Sequence, residues 1–227
     1  FVMVADDVAS RAAWLGEDGA LASAKSGAIA IDCSTLSPAW VRELAAAAAA
    51  KGLSFLDVPV GGSRDQAEAG EMILFVGGEA ETLEKARPAL EAVSAAIHHL
   101  GGTGAGATYK LINNMMVAVQ LTAASEGLAL AEKAGLDREQ VASIIAVSGT
   151  ASPVVKFKMP RMGALNFDNA DFALRHMVKD IGYALTLADA HGLSAETVKV
   201  ARDRFGAASD KGLGDQDFAA VFQAVRE

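Results

Sequence analysis

A chain of 227 residues with 52% hydrophobic side chains can bury a sizeable core without staples, and it is too apolar to remain disordered. A net charge of −8 excludes proteins that depend on a basic surface, namely nucleic-acid binders and anionic-membrane binders, and no apolar run reaches the ~18 residues of a membrane span. The single cysteine, Cys33, excludes an internal disulfide and fits a reducing, cytoplasmic setting.

In chain order, residues 1–5 read as a buried strand that begins on the first residue. No initiator methionine precedes it, so further sequence is expected upstream. Strand-length apolar runs then recur at 28–32, 55–60, 72–76 and, more weakly, 96–100. Helical stretches lie between them at 8–15, 38–51, 65–69 and 80–93. Ser37 and Pro38 give the second of these a hydroxyl cap and a proline in its first turn, and Gly52 closes it. Strands that alternate with helices predict βαβ units and a largely parallel sheet. From 107 to 134 the chain is apolar on most faces and free of proline, which predicts a long buried helix. Further helices are predicted at 138–147, 172–191, 195–209 and 217–225, with no strand after residue 101. The predicted architecture is an α/β domain over 1–103 and an all-α domain over 104–227, joined by the long helix.

Five segments stand out for their chemistry. The glycine cluster at 101–106 precedes a helix but lacks the G-x-G-x-x-G spacing of a dinucleotide loop and reads as a flexible interdomain joint. Thr35 follows a predicted strand in Asp32-Cys33-Ser34-Thr35. That position is either an ordinary helix cap or a ligand contact beyond the strand end. Gly61, Gly62 and Ser63 follow the next strand and form either a tight turn or a backbone N–H nest for a carboxylate.

Lys110 opens an apolar helix, where the dipole disfavours a cation. With partial burial, the dipole lowers a lysine pKa toward neutrality. Asn114 shares its face at i+4, so the pair can hold a hydroxyl oxygen. The competing reading is a snorkelling lysine beside a polar spot. Lys179 and Asp180 interrupt another apolar helix, either as a structural ion pair or with Lys179 reaching a cofactor phosphate or ligand carboxylate. The four histidines show no metal-ligand spacing.

Taken in order, these segments resemble the β-hydroxyacid dehydrogenase family, which includes 3-hydroxyisobutyrate dehydrogenase and the glyoxylate and succinic semialdehyde reductases. Its helical domain is like that of 6-phosphogluconate dehydrogenase. The matches are Asp32-Cys33-Ser34-Thr35, Asp57-Val58-Pro59-Val60-Gly61-Gly62-Ser63, Glu68-Ala69-Gly70, Gly104-Ala105-Gly106 leading to Lys110 and Asn114, Lys179-Asp180, and Gly212-Leu213-Gly214-Asp215-Gln216-Asp217-Phe218. The resemblance implies a Rossmann domain that binds NAD or NADP, and a helical domain that assembles a homodimer or homotetramer. It implies Lys110 as catalytic acid and base and Asn114 as an orienting group. It places Gly61, Gly62 and Ser63 on the carboxylate of a small substrate, and Met3, Val4, Thr35 and Lys179 at the cofactor. No metal, nucleic acid or membrane is implied.

Two features depart from the family. Its glycine-rich loop is not in this sequence, which leaves NAD against NADP open, and Gly61 stands where many members have serine. Ser63-Arg64 and residues 152–160 resemble the glyoxylate and succinic semialdehyde reductase branch more closely. The expected reaction is hydride transfer between NAD(P) and a small β-hydroxy acid or semialdehyde. The alternatives are an imine reductase, which commonly replaces the lysine, and a catalytically inactive module of the same fold.

Overall fold

The computed structural model describes residues 1–227, which divide into two units, Phe1–Ile112 and Asn113–Glu227. The first unit contains α1 (Asp7–Leu15), α2 (Ala20–Ser23), β1 (Ile29–Asp32), α3 (Pro38–Ala50), β2 (Ser54–Asp57), β3 (Val60–Gly61), α4 (Arg64–Ala69), β4 (Met72–Gly78), α5 (Ala80–Glu91) and β5 (Ser94–Gly101). Its start signals are those the sequence carries: Ser37 Oγ accepts from Trp40 N, with Pro38 in the first turn of α3. Strand residues alternate between the two faces of the sheet. Ala30 and Phe55 pack with Trp14, Trp40 and Leu44 on one face, and Ile31 and Leu56 pack with Leu83 and Leu90 on the other.

The sheet is mixed rather than largely parallel. β1 pairs with β2, and β4 with β5, in parallel, whereas β2 and β3 both run antiparallel to β4. The reason is the length of the connection. A parallel crossover needs about a dozen residues or more, and only the six-residue α4 separates β3 from β4. β2 and β3 keep one register against β4, from Leu56 opposite Gly78 to Gly61 opposite Ile73. Pro59 lies between them, without an N–H to donate, while its carbonyl accepts from Phe75 N at 3.0 Å.

Residues 1–5 do not form the expected buried strand. Only Val2 pairs, with Asp32, and Phe1 and Met3 are exposed. Asp6 caps α1 by accepting from Ala9 N, so the chain turns into a helix before a longer ladder can form.

The second unit is helical. α6 (Ala105–Lys133) starts in the first unit and runs into it, followed by α7 (Arg138–Val147), α8 (Pro153–Ala164), α9 (Leu174–Ala190), α10 (Glu196–Ala208) and α11 (Val221–Arg226). Leu121, Leu128, Met159, Met162, Ile181, Phe205 and Phe222 lie in one core. α8 has no counterpart in the sequence reading, because Pro153, Pro160 and Gly163 obscure its period. Ser152 caps it and Pro153 sits in its first turn, where a missing N–H costs nothing. Lys158 of α8 is 2% exposed and pairs with Asp217 at 2.7 Å and Asp171 at 2.9 Å. No helix is long and apolar enough to cross a membrane.

Candidate active site

At the C-terminal end of β1, one buried carboxylate organises its surroundings. Asp32 Oδ2 accepts from Ser10 Oγ and Trp14 Nε1, and Oδ1 accepts from Ser34 N, each at 2.8 Å. Trp40 Nε1 donates to Ser10 Oγ at 2.9 Å, and Ser34 Oγ in turn accepts from Val4 N at 2.8 Å. This network fixes the backbone on either side of Ser34. Val4 is therefore held beside the strand end from which half-buried Thr35 emerges, while Met3 is exposed. Met3, Val4 and Thr35 thus stand together at the C-terminal end of β1, and ligands of α/β sheets lie beyond such ends. Burial, with Asp32 adding to it, pushes the Cys33 thiol up to about 12, which removes it from nucleophilic chemistry.

β2 is in register with β1, Asp57 opposite Asp32, so the turn that leaves β2 is a neighbour of Thr35 along the same edge. Asp57 is 1% exposed. Its Oδ1 accepts from Gly104 N and its Oδ2 from Ala107 N, both at 2.8 Å. The glycine cluster at 101–106 thus does hold an anion, but the anion is the protein's own. It is a packed anchor rather than a loose joint. A Cβ on Gly106 would lie 2.3 Å from Phe75 O and 2.8 Å from Asp57 O, so only glycine lets the start of α6 approach the strands this closely. Burial raises the Asp57 carboxyl above its ordinary value, against the pull of the N–H groups of Gly104, Ala107 and Gly106. α6 starts at Ala105, earlier than the apolar pattern suggested. Lys110 accordingly lies in its second turn, half-buried, one turn beyond Ala107.

In the turn after β3, Gly62 has φ +118°, a conformation that favours glycine. Ser63 donates both its N–H and its hydroxyl to Gln66 Oε1, at 2.8 and 2.7 Å. A carboxylate bound at that N–H therefore takes the place of Gln66. Beside the turn, the Phe75 ring lies 3.2 Å from where a Cβ on Gly61 would stand. It also packs on Tyr109, the residue before Lys110, with ring centroids 4.6 Å apart.

In the second unit, Asn114 of α6 and Asp180 of α9 are both buried and joined, Nδ2 donating to Oδ2 at 2.6 Å. Asn114 Oδ1 accepts from Asn113 Nδ2 at 3.0 Å. Lys179 Nζ lies 3.0 Å from Asp180 Oδ1. This is an ion contact off the hydrogen-bond line, so that oxygen has no hydrogen bond. The second unit thus brings Asn114 and Lys179 to one carboxylate, while Val4, Thr35, the 61–63 turn and Lys110 belong to the first.

Residues 1–101 match the family model of the NAD-binding domain of 6-phosphogluconate dehydrogenase, and residues 104–225 match that of the NAD-binding region of NADP-dependent 3-hydroxyisobutyrate dehydrogenase. The 3-hydroxyisobutyrate dehydrogenase of Pseudomonas aeruginosa is 37% identical over 94% of this chain and 74% of its own length. The chain belongs to the β-hydroxyacid dehydrogenase family. Glyoxylate/succinic semialdehyde reductase 1 of Arabidopsis thaliana, another relative, is 34% identical over 99% of this chain and 77% of its own. The solved 3-hydroxyisobutyrate dehydrogenase of Mycobacterium tuberculosis with L-serine superposes with a TM-score of 0.86 at 32% identity, over 99% of this chain and 78% of that one. As a member of this family, the chain is an NAD(P)-dependent oxidoreductase.

Sequence reasoning named this dehydrogenase's polar segments but not the partnerships of Asp32, Asp57, Gln66 and Asp180. Asp32 and Asp57 each end a strand, and a carboxylate at the end of an apolar strand was the available signal. Gln66 stands three residues after Ser63, the spacing of a capping box. Asp180 was seen only as a neighbour of Lys179. Its bond to Asn114 spans 66 residues and leaves no local pattern.

Proposed function

We propose that this dehydrogenase moves hydride between NAD(P) and the hydroxyl-bearing carbon of a small β-hydroxy acid or the matching semialdehyde, with Lys110 as general acid and base. The observation that carries the reading is the double tie at Asp57. That residue ends the strand leading to the 61–63 turn, and it also holds the first turn of α6, one turn before Lys110. A carboxylate grip and a proton-transfer group therefore issue from one anchored corner of the first unit.

In oxidation, neutral Lys110 takes the hydroxyl proton on its Nζ. In reduction, protonated Lys110 returns it to the carbonyl oxygen. NAD(P), when bound, supplies the two-electron partner for the carbon. Thr35, Met3, Val4 and Lys179 would hold it. Gly61, Gly62 and Ser63 receive the substrate carboxylate, with Gln66 giving up Ser63 N–H. Asn114, fixed by Asp180, orients the reacting group. The L-serine bound to the Mycobacterium tuberculosis relative is a small β-hydroxy acid and supports this substrate class. The exposed apolar side chains of the second unit, including Met116, Leu130, Ile144 and Val147, support a homodimer or homotetramer.

The test is a panel of 3-hydroxyisobutyrate, L-serine, glyoxylate and succinic semialdehyde, each with both nicotinamide cofactors, run beside a cyclic imine. Saturable turnover of at least one acid or semialdehyde is expected. Turnover of the imine alone would put an imine reductase in its place, and cofactor binding without any turnover would leave an inactive module.

A further inference from the structure

We propose that Asp57 is a positioning residue for proton transfer: its carboxylate serves as the N-cap that the long helix lacks, and so sets where Lys110 stands relative to the substrate turn. The proposal rests on Lys110 acting as the acid and base.

The start of an α-helix leaves N–H groups without intrahelical partners, and a side chain at the N-cap normally accepts from them. Here the residue before α6 is Gly104, which has no side chain. Asp57, 47 residues upstream, supplies both acceptors, Oδ1 to Gly104 N and Oδ2 to Ala107 N. Ala107 lies three residues before Lys110, one turn back on the helix, so Asp57 holds the turn that precedes the lysine.

Two glycines make room for this contact. A Cβ on Gly77, the residue paired with Asp57 across the sheet, would lie 2.5 Å from Asp57 Oδ1 and 2.8 Å from Ala105 N. A Cβ on Gly106 would meet the backbone of Phe75 and Asp57. Both strands and the helix start are thus packed around one carboxylate. The same residue opens the 61–63 turn through Val58 and Pro59, where Val58 N donates to Asp32 O of β1 and the Pro59 carbonyl accepts from Phe75 N of β4. A change at Asp57 therefore alters the helix start and leaves the strand pairing beside the turn in place.

The experiment is a double-mutant cycle in the full-length protein, assayed with whichever panel substrate gives the highest kcat/KM. Asp57→Asn keeps the shape but turns one acceptor into a donor that faces an N–H. It is expected to lower kcat about tenfold to a hundredfold, as a misplacement near 1 Å does, with KM and cofactor Kd changed by no more than about threefold. In a Lys110→Ala background the same substitution is expected to cost less than about twofold, because a residue acting through the lysine has nothing left to act on. Amide hydrogen exchange at residues 104–108 is expected to quicken while the rest of the sheet keeps its protection. Gly106→Ala, whose Cβ would press on the carbonyls of Phe75 and Asp57 and stand 3.0 Å from Asp57 Oδ2, displaces the helix start while keeping the carboxylate itself; it is expected to give the same kcat-selective loss, and it decides the matter if Asp57→Asn does not fold. Equal fold-losses in both backgrounds, or losses confined to thermal stability with kcat per folded molecule unchanged, would overturn the proposal alone. Wild-type turnover by Lys110→Ala would overturn the catalytic reading and the proposal with it.

Discussion

Asn114 Nδ2 lies 2.6 Å from Asp180 Oδ2, and neither side chain reaches solvent to any extent. This contact holds the amide through one end while Asn113 holds the other. The orienting role proposed for Asn114 therefore depends on a carboxylate in a different helix.

Asn114→Ala leaves Asp180 buried without any hydrogen bond and with Lys179 as its ion partner. Loss of the bond is expected to cost about 1–3 kcal/mol of stability in urea unfolding, together with a fall in kcat/KM. Asn114→Asp places a second carboxylate against the first and should cost more. If Asn114→Ala unfolds at the same urea concentration as wild type, the bond contributes nothing and Asp180 must find its partner elsewhere.

The Lys158–Asp217–Asp171 cluster ties α8 to the segments on either side of α9. Breaking it by Lys158→Met leaves buried Asp217 without its cation and Asp171 with Arg161 alone, and is expected to cost about 3–5 kcal/mol. A chemical-denaturation difference below about 1 kcal/mol, the worth of a surface pair, would contradict the assignment. Acid titration offers a second check. Burial pulls the Asp171 carboxyl up, but Lys158 and Arg161 outweigh it and hold the group below its ordinary value. A carboxyl held down in the fold adds stability above its unfolded pKa and loses it as pH falls through the folded one. The Tm should therefore drop on acidification below the ordinary aspartate range, and Lys158→Met should flatten that drop.

Gly61→Ser restores a hydroxyl that many family members carry. Its Cβ would stand 3.2 Å from the Phe75 ring, so the ring must shift by a few tenths of an ångström before the hydroxyl can serve. One added hydrogen bond is worth about 1 kcal/mol, or several-fold in KM for a carboxylate substrate. Pairing the change with Phe75→Leu should deliver more of that gain than Gly61→Ser alone. Steady-state KM values that do not move in either variant would remove Gly61 from the substrate grip.

Cys33 should resist alkylation by iodoacetamide near pH 8 in the folded protein, because burial and the neighbouring Asp32 hold its thiol at about 12 and the thiolate is the reactive form. Labelling should begin only as the first unit opens. Rapid labelling of the native protein would show that the end of β1 is not packed as described.

Local chemistry made much of the helical framework legible. Ser37, Pro38 and Gly52 marked α3, and the proline-free apolar run after Ala107 marked α6. What stayed hidden depends on contacts distant in sequence. The direction of β4 followed from a short α4 rather than from any strand pattern. The partner of the glycine cluster was Asp57, 47 and 50 residues away from the amides it binds. Lys158 was lost with α8, because two prolines masked a helix whose buried lysine makes sense only once Asp171 and Asp217 fold around it.

Lys110→Ala, assayed for turnover of the best panel substrate with cofactor affinity and Tm measured on the same sample, tests the central claim most directly. The account predicts that kcat falls about 10²- to 10⁴-fold while the protein stays folded and still binds NAD(P). Turnover at the wild-type rate from a folded Lys110→Ala protein would contradict it.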